Sequence, residues 1–429
     1  STRPEITSRG GWTLYCIDLF AGAGGLSTGL SLAGFKTLFA SEMSNCYAST
    51  LRNQHPETYI ATGDIRHIDA RVVRKKLQIE QGELHLLAGG PPCQGFSVNA
   101  PVRSTKDKRN HLFREFLRFA KEFQPQAILI ENVPGMLSFE KGSTVSAILT
   151  ILRSMGYRAD IRILFAAHYG VPQMRWRAII LANRIGIDPL LMYPAPTHNA
   201  AGRANFATKF MGKSVILDKS EVDRSAQNPF VTVGEAILDL PPIPNGGGAE
   251  EVPYATPAQN QYQNILRASS ASAKNHMCAA LGPANLKRLP YIPQGGSWRD
   301  IPVKLLPSGM QRARRSDHTK RYGRLHTAEL ASTILTKCDP HWGTYIHPTQ
   351  DRVISVREAA RIQSFPDTVQ FFGSLTEQYE QVGNAVPPIF AREIGKQVKQ
   401  VLFDSNEKST NRNTHLSTCW VEKQQDLPI

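Results

Sequence analysis

A chain of 429 residues with 50 lysines and arginines against 36 acids carries a formal charge of +14, and at about 100–200 residues per domain it can hold one large domain and a smaller one. No window approaches the roughly 18 apolar residues of a membrane span, and the polar stretch Ser1 to Gly10 has no apolar signal core, so the chain reads as intracellular. Cys16, Cys46, Cys93, Cys278, Cys338 and Cys419 lie far apart without a Cys-x-x-Cys pair, which argues against a zinc site or disulfide framework, while the basic excess suits a surface that meets polyanions.

Leu14 to Phe20 has the pattern of a strand and runs into Ala21-Gly22-Ala23-Gly24-Gly25-Leu26. A helix through Leu26, Leu30 and Leu32 follows and stops at Gly34. Strand, glycine turn and helix form a cradle for a nucleotide-like cofactor, because glycine admits the ligand to the backbone and the helix start offers free N–H groups. Two relatives are excluded. No Lys-Ser/Thr follows the glycines, so this is not a P-loop; Ser27 stands at the third glycine position, which disfavours a nicotinamide dinucleotide.

Thr37 to Ser41 is the next strand and ends at Glu42, at the distance from the glycines where an acid reaches a ribose hydroxyl. Thr58 to Ala61 leads into Gly63-Asp64-Ile65. Leu84 to Ala88 then delivers Gly89-Gly90-Pro91-Pro92-Cys93-Gln94-Gly95-Phe96-Ser97. Two glycines turn the backbone and two prolines stiffen the exit, so Cys93 arrives on a short rigid lead, as a nucleophile is presented. A core cysteine is the alternative, but Gln94, Ser97, Asn99 and the charged run from Arg103 to Arg109 argue for a solvent-facing loop.

Leu112, Phe113, Phe116, Leu117, Ala120 and Phe123 recur at helical spacing, and Pro125 ends that helix. Ala127 to Ile130 is a buried strand terminating in Glu131-Asn132-Val133. Ile161 to Phe165 and Ala178 to Ala182 are further strands, with Gln173-Met174-Arg175-Trp176-Arg177 between them. In an open parallel sheet the carboxyl ends of strands converge on one ligand site. The glycine turn, Glu42, Asp64, Cys93 and Glu131 all fall at such ends.

From Tyr193 to His347 proline- and glycine-rich loops dominate and periodicity weakens. This stretch is expected to be a separate, irregular domain, and Arg312, Arg314, Arg315, Lys320, Arg321 and Arg324, with Tyr322 and Trp298 nearby, could form its phosphate-binding face. Regular structure returns with the capping box Ser355-Val356-Arg357-Glu358, and a last amphipathic helix carries Phe390, Ile394, Val398 and Leu402 on one side. The tail beyond Phe403 is polar. The expected division is 12–192 and 348–403 for the sheet domain, 193–347 for the irregular domain, and 404–429 for the tail.

Phe20-Ala21-Gly22-Ala23-Gly24-Gly25, Pro91-Pro92-Cys93-Gln94-Gly95-Phe96-Ser97, Glu131-Asn132-Val133, Gln173-x-Arg175-x-Arg177, the run Arg357 to Pro366 and Gly383-Asn384-Ala385-Val386 stand in an order that resembles the DNA (cytosine-5) methyltransferases. The resemblance implies an α/β fold: a Rossmann-like, S-adenosylmethionine-dependent methyltransferase sheet with a smaller, irregular target-recognition domain. It makes 12–192 and 348–403 the catalytic and cofactor-binding domain and 193–347 the target-recognition domain. It implies that S-adenosyl-L-methionine is held by Phe20, Ala21, Gly22, Gly24, Gly25, Leu26, Glu42 on the ribose, Met43, Asp64 near the adenine amine, Ile65, Pro91, Asn384 and Val386. Cys93 is then the nucleophile and Glu131 its partner, with Arg175 and Arg177 fixing the target cytosine and lowering the thiol pKa. Double-stranded DNA is the implied partner, contacted by Gln94, Ser97, Arg109, Arg312, Arg314, Arg315 and Arg324. A monomer is expected, with a cognate restriction endonuclease acting separately and no metal needed.

The chemistry explains these residue types. C5 of cytosine is a weak nucleophile until a thiolate adds at C6, and a carboxyl group at N3, its pKa raised in a dry pocket, stabilises the ring charge. A base inside a duplex must first be flipped out. Three rivals remain. An RNA cytosine-5 methyltransferase that acts on transfer RNA typically carries a Cys-Phe-Thr signature, absent here; an inactive DNA-binding homologue has no use for Cys93; an oxidoreductase lacks its third glycine.

Overall fold

The computed structural model describes residues 13–92, 112–268, 270–314, 316 and 320–403. Leu14–Leu19 (β1), Phe35–Glu42 (β2), Tyr59–Thr62 (β3), Leu86–Gly89 (β4), Ala127–Asn132 (β5), Arg158–Phe165 (β6) and Trp176–Asn183 (β7) form one seven-stranded sheet in the order β3-β2-β1-β4-β5-β7-β6. The central strands are apolar almost without interruption because helices cover both faces: Ile17, Leu19, Leu86, Leu87, Ala88 and Ile128 are all fully buried. The sequence points to an open parallel sheet, but the sheet is mixed. β7 runs antiparallel to both β5 and β6, since the chain returns from β6 by a short connection where a parallel strand would need a long crossover.

Gly25–Leu32 (α1), Asn45–Gln54 (α2), Ala70–Lys76 (α3), Leu112–Phe123 (α4) and Ser143–Ser154 (α5) connect the strands. α4 buries Phe113, Phe116, Leu117, Phe119, Ala120 and Phe123 against the sheet. The helix Pro388–Leu402 buries the residues expected from its pattern, Phe390, Ile394, Val398 and Leu402, and it meets α1 where Ala391 faces Gly29 and Gly395 faces Leu30 and Ala33. Its close approach needs Gly29, where any Cβ would collide with Ala391 Cβ and Pro388 O.

Two compact units result. The first holds 1–169, 176–229 and 388–429; the second holds 170–175 and 230–387. Residues 193–229 therefore pack with the sheet unit, and 348–387 with the other. In the second unit the antiparallel pair Gly248–Pro253 and Ser272–Met277 accompanies the helix Val356–Ile362, which opens on the expected Ser355/Glu358 capping box.

A fully buried ionic cluster organises this second unit. Arg361 Nε and Asp367 Oδ1 lie 2.6 Å apart, and Arg361 also donates to Asp239 Oδ1 at 3.1 Å and to Ala236 O at 3.0 Å. Removing one member of such a cluster leaves a buried charge uncompensated. Arg361→Ala is expected to cost about 3–5 kcal/mol, read from the urea midpoint; a loss under about 1 kcal/mol would show that water reaches both acids.

Candidate active site

Strand register brings the chemistry to one edge of the sheet. Leu19 pairs with Ser41 and with Gly89, Glu42 with Thr62, and Gly89 with Ile130. The carboxyl ends of β1 to β5 are thus level. Because β7 is antiparallel, with Ala178 opposite Asn132, its amino end reaches the same edge and delivers Arg177 beside Glu131.

The glycine turn begins at Phe20, whose φ of 62° is positive although it is not glycine. Such backbone is costly and persists where surroundings hold it. Ala21 N donates to Ser41 O at 2.9 Å, and Gly22 N to Glu42 Oε2 at 2.8 Å. The second Glu42 oxygen accepts from Ser44 N at 2.8 Å. Gly24, at φ +84°, caps α1 where a Cβ would meet Leu51 Cδ1 at 2.5 Å. Over Gly22 there is open space. Burial raises the Glu42 pKa, against the backbone donors from Ser44 and Gly22.

Asp18, which sequence reasoning passed over, lies beneath this turn and is completely buried. Ser27 Oγ donates to its Oδ2 at 2.6 Å, so Ser27 ties α1 to β1. Burial pushes the Asp18 carboxyl up to about 7, with Glu42 adding a small repulsion. An acid whose folded-state pKa lies above its unfolded value contributes stability at low pH and loses it as pH rises. The protein should therefore lose stability between about pH 4 and 7, and Asp18→Asn should flatten that part of the curve, as thermal melts across pH would reveal. An unchanged slope would place the titration elsewhere.

Asp64 follows β3 and caps a short turn. It accepts from Arg66 N at 3.0 Å and Arg66 Nε at 2.9 Å, and these bonds pull its carboxyl down to about 2. Met43 is 68% exposed beside Glu42, whereas Leu26 and Ile65 are core side chains.

The centre of the site is a half-enclosed ion pair. Arg177 Nε lies 2.6 Å from Glu131 Oε1, with both side chains close to nine-tenths buried. Burial lowers the Arg177 pKa, and Glu131 opposes that shift. Gly90 passes so close that a Cβ there would stand 3.2 Å from Glu131 Oε2. Asn132 Nδ2 donates to Pro91 O at 3.0 Å, and Asn132 Oδ1 accepts from Val133 N at 2.8 Å. Asn132 thereby fixes the lead toward Cys93. The sequence quoted it only as Glu131's neighbour; the signal available was a buried amide directly after a strand-end acid. Cys93 itself, with Gln94, Ser97, Arg109 and Arg315, lies outside the described residues.

These features set a glycine turn and strand-end carboxylates on the same sheet edge as an acid–arginine pair and a proline-stiffened lead to a cysteine. A family profile described as "C-5 cytosine-specific DNA methylase" matches residues 14–400. The chain belongs to the C-5 cytosine-specific DNA methylases. It is 31% identical to the type II methyltransferase M.AgeI of Thalassovita gelatinovora, over 89% of this chain and 98% of that one. It is 32% identical to the DNA (cytosine-5)-methyltransferase PliMCI of Paracentrotus lividus, and 33% to DNA (cytosine-5)-methyltransferase 1 of mouse. The chain spans only 29% of the length of either. Its fold is shared with a DNA modification methyltransferase encoded within an E. coli prophage, at a TM-score of 0.69 and 23% identity, covering 91% of this chain and 99% of that one.

For a member of this family, two arginines need reassignment. Arg175 was expected to share the cytosine with Arg177, but it is 2% exposed and donates to Ile334 O at 3.1 Å, Gly383 O at 3.0 Å and Ala385 O at 3.1 Å. With Gln363, which donates to Ala385 O at 2.7 Å, it braces the turn that carries exposed Asn384 and half-buried Val386. Arg324 was expected to meet phosphate. Instead it is buried, and donates to Leu289, Ile292, His347 and Gln350 carbonyls and to Asp351. An arginine with so many internal acceptors in place of water has no face left for DNA. Trp298 and Tyr322 are core residues as well, while Arg312 and Arg314 are exposed.

Proposed function

We propose that this methylase transfers a methyl group from S-adenosyl-L-methionine to C5 of a cytosine flipped out of a specific duplex DNA sequence, through a transient Cys93–C6 bond. The observation that carries this reading is the Glu131–Arg177 pair set against the Gly90–Pro92 lead. It is the arrangement needed to fix a pyrimidine's polar edge while a thiolate approaches its ring.

The cradle residues suit the cofactor. Gly22 leaves open space before the start of α1, and Glu42 and Asp64 offer carboxylate oxygens at neighbouring strand ends. The resemblance also assigns Asn384 and Val386 to the cofactor. When bound, S-adenosylmethionine supplies an electrophilic methyl on a sulfonium.

The chain's own residues do the rest. Cys93 thiolate adds to C6, and the electron pair moves toward C5 and N3. The Glu131 carboxyl passes a proton to N3 as negative charge builds there, and the carboxylate left behind pairs with Arg177, which orients Glu131 and binds the ring's polar edge. C5 made nucleophilic in this way would attack the sulfonium methyl, the S–CH3 electron pair leaving on sulfur as a thioether; a base would then remove the C5 proton, and the thiolate departs as the 5,6 double bond reforms. Among the described cysteines, burial drives the thiol pKa of Cys16 to about 12 and also raises Cys278 and Cys338, so these three are poor nucleophiles.

Residues 193–347 are the target-recognition part of this proposal, with Arg312 and Arg314 exposed. The enzyme acts as a monomer in the nucleoid, alongside a separate endonuclease if it belongs to a restriction system. Among the described residues no helix is long and apolar enough to cross a membrane. Bisulfite sequencing of DNA from cells expressing the protein tests the whole reading: a recurrent short sequence with protected cytosine supports it, and uniformly converted DNA contradicts it.

A further inference from the structure

Trp342 is 61% exposed, in a basic part of the chain: residues 282–342 carry eleven lysines and arginines against four acids. A tryptophan is normally well buried. One held open to solvent, amid positive charge, is the signature of a contact residue rather than of a core residue.

The ring does not lie loose. Trp342 N donates to Asp339 O at 3.0 Å, and His341 N donates to Asp339 Oδ1 at 2.8 Å, which closes a tight turn. The turn is anchored from below, where Tyr322 N donates to Pro340 O at 2.6 Å and Gly323 N to Gly343 O at 3.2 Å. His341 packs edge-on against Trp342, with ring centres 5.1 Å apart, and against buried Tyr322 at 5.9 Å. The Arg321 guanidinium sits 5.3 Å from the Trp342 ring centre. His341 and Asp339 also line an open cleft of about 460 Å³, together with Arg288 and Asn285. A rigid aromatic face flanked by a cation, beside a polar cleft, fits a planar aromatic group attached to an anionic backbone.

We propose that Trp342 stacks on a nucleobase of the bound DNA, with Arg321 pairing the adjacent phosphate, and that this contact helps set which sequence is methylated. The proposal rests on the DNA-methylating reading above. It moves the recognition face away from Arg324, which the fold buries, to the turn 339–342. Stacking on a base is sequence-tolerant in itself, but one inserted ring fixes the register in which neighbouring polar groups meet the grooves.

The test uses the full chain with methyl donor and a labelled duplex containing the sequence found methylated by bisulfite sequencing. Trp342→Ala should weaken duplex binding about tenfold, within the range for base–aromatic stacking, and raise KM for DNA while cofactor affinity and melting temperature stay put. Trp342→Phe should stay within about threefold of wild type, because an aromatic face remains. Neither variant removes charge, so the slope of affinity against salt should not change; Arg321→Ala should lower it by about one counterion. Wild-type affinity in Trp342→Ala overturns the proposal, and so does a Phe variant as weak as the Ala variant. Failure of the wild type to bind or methylate any DNA would bring down the functional reading and this inference together. An active wild type indistinguishable from Trp342→Ala would bring down this inference alone.

Discussion

Cys93→Ser is expected to abolish methyl transfer while duplex DNA binding largely persists. The hydroxyl is a far weaker nucleophile than a thiolate and has no means of ionising near neutral pH. Cys16 cannot replace it: it sits inside the sheet with its thiol beside Thr37 Oγ1, and burial has raised its pKa out of reach. The approach to position 93 is also prepared in advance, since Asn132 holds Pro91 and Gly90 lies against Glu131. Single-turnover methyl transfer together with duplex binding is the measurement. A 5-fluorocytosine oligonucleotide with methyl donor should trap wild-type protein as a covalent adduct, because fluorine cannot leave as the proton does. Residual transfer in the serine variant, or an adduct mapped to another side chain, would relocate the nucleophile.

Glu131→Gln is expected to slow the chemical step by about 10²–10⁴-fold, the usual contribution of a positioned acid–base group, with cofactor affinity changed by no more than about twofold, our expectation for a residue outside the cofactor cradle. Glutamine keeps the shape and one acceptor oxygen. It cannot carry the negative charge that Arg177 meets at 2.6 Å, nor exchange a proton with N3. The Arg177 charge is then left partly buried without its counterion, so stability should also fall modestly. Cofactor affinity is the discriminating readout, because Glu42 and Asp64 lie on β2 and just beyond β3, away from β5. Equal losses in rate and cofactor binding would mean that Glu131 has been misplaced. Arg177→Lys supplies a companion: the charge survives, but the planar fork that can hold a carboxylate and a ring edge at once does not.

Most of the sheet unit was legible from residue order. The strand ends carrying Glu42, Asp64 and Glu131, the glycine turn, the amphipathic α4 and the Ser355 capping box are local patterns, set by periodicity and by turn chemistry within a few residues. The same local logic misread Arg175 and Arg324. Both stand in polar, basic surroundings in the sequence, and only the folded chain shows that backbone carbonyls from distant segments converge on them. Trp342 was missed for the converse reason: a tryptophan between His341 and Gly343 gives no sign that the turn beneath it keeps its ring in solvent.

Sequence alone determined the inventory, namely a glycine turn, acids at the end of β2 and just beyond β3, a cysteine after a Gly-Gly-Pro-Pro run and one strand-end glutamate, in the order of a cytosine-5 methylase. It did so because each of these features is encoded within a single strand–turn–helix step. Tertiary structure decided the pairings. The antiparallel return of β7 brings Arg177 to Glu131, Gly29 admits a helix from more than 350 residues later onto α1, and burial turns some arginines into scaffolding. Those outcomes depend on register, close approach and exclusion of water between segments far apart in the chain, quantities that no local pattern contains.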